Sequence, residues 1–144
     1  MIKQKYMVAY GMNTNLSSMA TRCPAAQSMG AVTLKGYKLA FKYFCDAVAD
    51  PAAKMECVLW NITDACEQSL DATEGYPTFY GKKEVDVLHG DRKIRAMIYY
   101  MAGADEPAMP SESYLNMVVQ GYSEHNIGII QIVTALEELT KCGS

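Results

Sequence analysis

The sequence lacks any long apolar run. Its hydrophobic stretches extend only a few residues, far short of the roughly 20 that a helix needs to span a bilayer, so no membrane partner is expected. The opening "MIKQKYMVAYG" has a basic flank but no apolar core before Gly11, which is not the pattern of a secretory signal; a cytoplasmic location is expected. No CxxC pair occurs, and the two histidines, His89 and His125, lie far apart. A zinc site needs clustered ligands at short spacing, so no metal is expected. Neither histidine has an acid or a nucleophile near it in sequence, which leaves serine- or cysteine-triad chemistry without support. Lysines and arginines are scattered and the net charge is −3, whereas nucleic-acid binding requires a concentrated basic face. Internal repeats, low-complexity tracts and linkers are missing as well.

What is present is the composition of a globular protein. Half of the 144 residues are apolar and a fifth are charged, enough to bury a core in one domain spanning 1–144. The five cysteines, Cys23, Cys45, Cys57, Cys66 and Cys142, are widely spaced and read as free, mostly buried thiols. Thiol redox chemistry through Cys23 or Cys66 is the alternative use.

Along the chain, Tyr6 to Ala9 is a strand that enters a tight turn at Tyr10-Gly11. Asn13 or Asn15 can cap a short helix over "LSSMATR". "AVTLKGYKLAFKYF" reads as two strand segments kinked at Gly36, and "DAVADPAAK" as a strand fragment with a turn at Asp50-Pro51. "MECVLWNI" has the form of a strand buried on both faces. In "TDACEQSLDATEG" Asp64 and Glu67 resemble an N-terminal capping pair, and Gly75 stands where a left-handed residue closes a helix. "FYGKKEVDVLHG" and "KIRAMIYYM" pair as a hairpin across His89-Gly90-Asp91. "AGADEPAMP" is a loop, Ser111 caps a helix over "ESYLNMVVQGYSE", and "IGIIQIVTALEELTK" is a final amphipathic helix. The irregular alternation of elements predicts an α+β fold, a mixed and strongly curved sheet or partial barrel with a few helices against it.

Four clusters could carry chemistry. In "VAYGMN" a strand ends in a glycine turn whose backbone N–H groups can converge on an oxygen; an ordinary turn with a buried Tyr10 has the same sequence. Glu74 follows Ala65 or Cys66 and Leu70 on one helical face, at the last turn, beside Tyr76, Pro77, Phe79 and Tyr80. A carboxylate is disfavoured at that end of a helix, and there its pKa should rise into the range of a general acid and base; a solvated acid on a frayed turn is the other reading. Asp71 lies about 60° off that stripe by the 3.6-residue period, which fits a turn or capping role better than a paired carboxylate. Of Tyr80, Tyr99, Tyr100 and Tyr114, Tyr99 and Tyr100 face opposite sides of a strand, and buried tyrosines commonly pack as core with the hydroxyl satisfied. Met7, Met97, Met101 and Met117 read as core by the same logic.

Taken together, "YMVAYGMN", "RCP" with Ala25, the stretch from Gly30 to Phe41, "LDATEGYPTFY", "AMIYYM" and "PSESYLNMVVQGYSEHNI" resemble, in order along nearly the whole chain, the gamma-glutamylcyclotransferase-like (AIG2-like) family. The resemblance implies a small mixed or antiparallel β-barrel flanked by helices. It implies that the glutamate of the LD-x-x-EG motif, here Glu74, is the catalytic acid/base. The turn formed by Ala9, Tyr10, Gly11, Met12 and Asn13 would hold the glutamyl group through backbone N–H groups, and Tyr80, Tyr99 and Tyr114 would line the pocket. The substrate's α-amine would attack its own γ-glutamyl amide, releasing 5-oxoproline and an amine or amino acid. No cofactor is implied; the partner is a small γ-glutamyl substrate, and the chain is expected to be a monomer or weak homodimer. Many members carry Ser where this chain has Met12, which could widen the pocket's tolerance for apolar amines. The alternative is a binding module that uses the same pocket without turnover.

Overall fold

The structure, a computed structural model, describes residues 4–103 and 105–142. The thiol of Cys142 and, within the predicted loop, Ala104 lie outside the described residues. Strand β1 (Lys5–Ala9) leads into a 3₁₀ turn (Met12–Thr14) and helix α1 (Leu16–Arg22). Two long strands follow, β2 (Gln27–Lys42) and β3 (Phe44–Ile62), then helix α2 (Asp64–Glu74). The hairpin β4 (Tyr80–His89) and β5 (Arg92–Met101) precedes helices α3 (Glu112–Glu124) and α4 (Ile130–Cys142).

The strands close into a barrel in the order β1-β3-β2-β4-β5, so the α+β barrel expected from the sequence is what forms. Neighbours are antiparallel except β1 and β5, which run parallel and meet at Met7 and Met97. The hairpin turn at Gly90-Asp91 sets His89 opposite Arg92. Val85 and Val87 point inward. Leu88, next to Val87, is thrown onto the exposed face by the two-residue period of the strand. The kink at Gly36 is a register shift: Lys35 pairs with Lys54 and Tyr37 with Ala49, and Gly36 takes φ of 88°.

Four local expectations are corrected. Asp50-Pro51 does not turn the chain. The Asp50 side chain does accept a hydrogen bond from the Ala52 N–H at 3.0 Å, as a turn would, but the excess residues of β3 opposite Gly36 absorb the feature as an irregularity inside one strand. "DAVADPAAK" and "MECVLWNI" are therefore parts of the same 19-residue strand. The reversal lies instead at Tyr43, a non-glycine residue with φ of 68°. Helix α2 is capped by Thr63, whose hydroxyl accepts from the Cys66 N–H at 3.1 Å, while Asp64 and Glu67 turn outward to Lys5 at 2.5 and 2.6 Å. Met117 is half-buried rather than core, its carbonyl accepting from the Asn15 side chain at 3.0 Å.

One apolar cluster fills the barrel with Met7, Leu34, Phe41, Leu59 and Ile98 and continues into Leu70 of α2, Val118 and Tyr122 of α3 and Ile132 of α4. Helix α3 lies unusually close to the turn after β1. A Cβ built on Gly121 would stand 2.1 Å from Thr14 Oγ1 and 2.7 Å from the Asn15 nitrogen, so glycine is what permits that approach.

Candidate active site

The turn after β1 is held from three sides. Tyr122 of α3 donates its hydroxyl to the Tyr10 carbonyl at 2.7 Å, and Trp60 of β3 donates its indole N–H to the Asn13 carbonyl at 2.9 Å. Asn15 accepts from Ser18 at 3.0 Å to cap α1, the second of the two caps considered from sequence. Within the turn Thr14 donates both its hydroxyl and its N–H to the Gly11 carbonyl. Gly11 is packed so tightly that a Cβ would fall 2.9 Å from Cys45 Cβ and 3.2 Å from the Tyr114 hydroxyl. The amides that open a 3₁₀ turn have no acceptor within it, and here Gly11, Met12 and Asn13 all border a cavity.

Glu74 enters the same cavity from α2. Cys66 and Leu70, at the same face, are buried in the core, so the helical period carries Glu74 inward, and Gly75 closes the helix in the left-handed conformation, φ 67°. The Glu74 side chain is 15% exposed. Its Oε1 accepts from Asn13 Nδ2 at 2.9 Å and lies 3.8 Å from Arg22 Nη1. Arg22 donates in turn to Asn13 Oδ1, which fixes the amide so that its NH₂ faces the carboxylate. Burial pushes the Glu74 carboxyl above its ordinary value of 4.5; the Asn13 amide and the Arg22 charge oppose that shift without cancelling it. Of the two readings of Glu74, the solvated acid on a frayed turn does not match this geometry.

The cavity measures about 250 Å³ and is lined by apolar and aromatic groups with a few polar ones, a size suited to a ligand of amino-acid dimensions. Ala9, Tyr10, Gly11, Met12, Asn13, Tyr80, Tyr99 and Tyr114 all border it together with Glu74. Phe44, Phe79 and Tyr114 form one wall, with ring centroids 5.8 Å apart for Phe44 and Phe79 and 5.3 Å apart for Phe44 and Tyr114. The tyrosine hydroxyls are engaged: Tyr80 donates to the Cys45 carbonyl at 2.7 Å, Tyr99 to Asp71 at 2.6 Å, and Tyr114 accepts from the Cys45 N–H at 3.0 Å. Burial raises all three far above the ordinary phenol value, so they stay protonated.

Asp71 is not paired with Glu74. Its two oxygens are taken by Tyr99 and by Lys82, the latter at 3.0 Å. Tyr76 is exposed and Tyr100 lies on the opposite face of β5 from Tyr99, over Gly81 and Lys83. Cys23 and Cys66 are free and buried; burial pushes the Cys23 thiol up to about 12. Among the described residues no three His, Cys, Asp or Glu side chains are grouped so as to hold a metal ion, and no helix is long and apolar enough to cross a membrane. Sequence reasoning did not place Met7, Val8, Arg22, Phe44, Cys45, Thr73 or Phe79 at the site, though all line the cavity. Arg22 carried a signal, as the last cation of a short helix; Phe44 carried none.

A profile of the family described as gamma-glutamyl cyclotransferase, AIG2-like, matches residues 7–116. The chain belongs to that family. Among solved structures, one described as a gamma-glutamyl cyclotransferase superposes with a TM-score of 0.80 at 22% identity, covering 96% of this chain and 87% of that one. An uncharacterized human protein gives 0.80 at 23% identity, covering 96% and 88%. A gamma-glutamyl cyclotransferase specific to glutathione from yeast gives 0.62 at 11% identity, covering 97% and 96%. At these identities the superpositions establish the fold. A search of curated protein sequences finds no match. For a member of the gamma-glutamyl cyclotransferase, AIG2-like family, the matched span contains the turn after β1, Glu74, Tyr80, Tyr99 and Tyr114.

Proposed function

We propose that this chain is a gamma-glutamyl cyclotransferase acting on γ-glutamyl amines or γ-glutamyl amino acids. The observation that carries the reading is Glu74, a carboxyl raised by burial that lines the same small cavity as the β1 turn. A substrate folded there would bring its α-amine against its own γ-amide carbonyl, and holding that geometry accounts for much of the acceleration. The new N–C bond closes a five-membered ring and the old C–N bond to the leaving amine breaks. One proton must move from the attacking nitrogen to the departing one, and Glu74 would accept it and return it. The amides of Gly11, Met12 and Asn13 would stabilise the oxyanion formed between the two steps; one such donor is worth about 3 kcal/mol in other enzymes. Tyr114, which accepts from Cys45, keeps a hydroxyl proton to donate to substrate.

Met12 takes part through its backbone; its thioether turns toward the Ser18 hydroxyl at 3.4 Å and leaves the amides as they are. The products are 5-oxoproline and a free amine, and this chemistry calls for no cofactor. Incubating the purified protein with a panel of γ-glutamyl amines and γ-glutamyl amino acids should release 5-oxoproline from at least one. If none is turned over while a compound without a γ-glutamyl group raises the melting temperature, the pocket serves as a binding module instead.

A further inference from the structure

We infer that Arg22 anchors the α-carboxylate of the substrate and so makes the site select γ-glutamyl compounds over otherwise identical amines that lack that group. The inference rests on the proposed cyclotransferase reading and names the residue that recognises the substrate's negative charge.

Among the described residues lining the cavity, Arg22 is the one cation and Glu74 the one anion. Lys5, Lys42 and Lys82 each contact a carboxylate directly, at 2.5 to 3.0 Å. Arg22 differs. Its side chain is 25% exposed, its hydrogen bond goes to the neutral side-chain amide oxygen Oδ1 of Asn13, and its nearest carboxylate oxygen is 3.8 Å away. A guanidinium offers five N–H donors on a planar fork that matches a carboxylate, and only one of them is needed by Asn13.

The spacing also fits the substrate. An α-amino acid carries its amine and its carboxylate on one carbon. If Glu74 takes the proton of the amine, the carboxylate must lie a bond or two away, within reach of a cation 3.8 Å from Glu74 Oε1. The backbone amides of the turn are then left for the oxyanion. If Arg22 served only to orient Asn13, it would affect every substrate alike, and that difference makes the two roles separable.

The experiment compares γ-glutamyl methylamide with 4-aminobutanoyl methylamide, which has the same reacting atoms without the α-carboxylate and closes to 2-pyrrolidinone. Initial rates are taken for the wild type, Arg22→Met and Arg22→Lys, each checked for cooperative unfolding. The expected result is that the ratio of kcat/KM values for the two compounds falls by at least ~10-fold in Arg22→Met, the scale of one charged hydrogen bond, with Arg22→Lys intermediate. Intrinsic differences in amine basicity cancel in that comparison. An unchanged ratio, with both rates lowered equally, overturns the inference and leaves the cyclotransferase reading intact. Should the wild type turn over neither compound, the panel of γ-glutamyl compounds still tests that reading, and thermal shifts with 5-oxoproline and 2-pyrrolidinone decide the anchor. Stabilisation by 5-oxoproline alone, lost in Arg22→Met, upholds it; equal shifts in wild type and variant, or no shift, overturn it.

Discussion

Glu67 and Glu74 occupy the same helix two turns apart, yet folding moves them in opposite directions. Burial raises both, but at Glu67 the hydrogen bonds from Lys5 and Lys82 win and the carboxyl ends below 4.5, whereas at Glu74 burial wins. The consequences for stability have opposite signs. For Glu67 the unfolded chain takes up the proton first as pH falls, so its contribution is present above the unfolded value and is lost as pH drops through the folded one. For Glu74 the folded chain takes up the proton first, so its contribution is largest below the unfolded value and is lost as pH rises through the folded one. Melting curves should therefore show Glu74→Gln gaining on the wild type as pH rises from 4 toward neutrality, and Glu67→Gln losing to it over the range where Glu67 ionises. The inward direction of Glu74 was legible from the periodic stripe through Cys66 and Leu70. Its partners were not: Asn13 is 61 positions away in the chain, and no local pattern encodes a contact closed only by the barrel.

At the scale of elements, the site depends on how closely α3 presses on the turn after β1. Gly121 permits that contact, and any side chain there meets backbone atoms of Thr14 and Asn15 that cannot swing aside as a flexible side chain could. Gly121→Ala should destabilise the protein by about 1–3 kcal/mol, the range for overpacking, and should weaken turnover by displacing the amides of residues 11–13. Chemical denaturation and kcat/KM measure the two effects. Most elements could be read from the chain, because alternation in β4 and β5 and the Asn15, Ser111 and Gly75 signals at the helix ends are local. The failures lie in the β2–β3 hairpin. Its real turn, at Tyr43, uses a residue with no turn signature, and its apparent turn, at Asp50-Pro51, keeps its local hydrogen bond while the strand runs on through it. The N-cap of α2 was also displaced, since the tertiary partner Lys5 claims the two acids that looked like a capping pair.

Over the whole molecule, closure of the barrel is what brings the parts of the site together. Tyr10 donates its hydroxyl to the Tyr99 carbonyl at 2.7 Å, tying β1 to β5, and a run of contacts from Lys5 through Glu67, Lys82 and Asp71 to Tyr99 fastens α2 to the barrel wall. Glu74 is thereby carried on a helix fixed to the same strands that position the opposing amides. The most direct measurement is the release of 5-oxoproline from a γ-glutamyl compound across pH, by the wild type and by Glu74→Gln. A wild-type rate whose acid limb lies above the ordinary carboxylate value of 4.5, together with a loss of ~10²-fold or more in a Gln variant that melts normally, is the predicted result. A Gln variant with the wild-type rate and pH profile would contradict the role of Glu74 as the proton carrier.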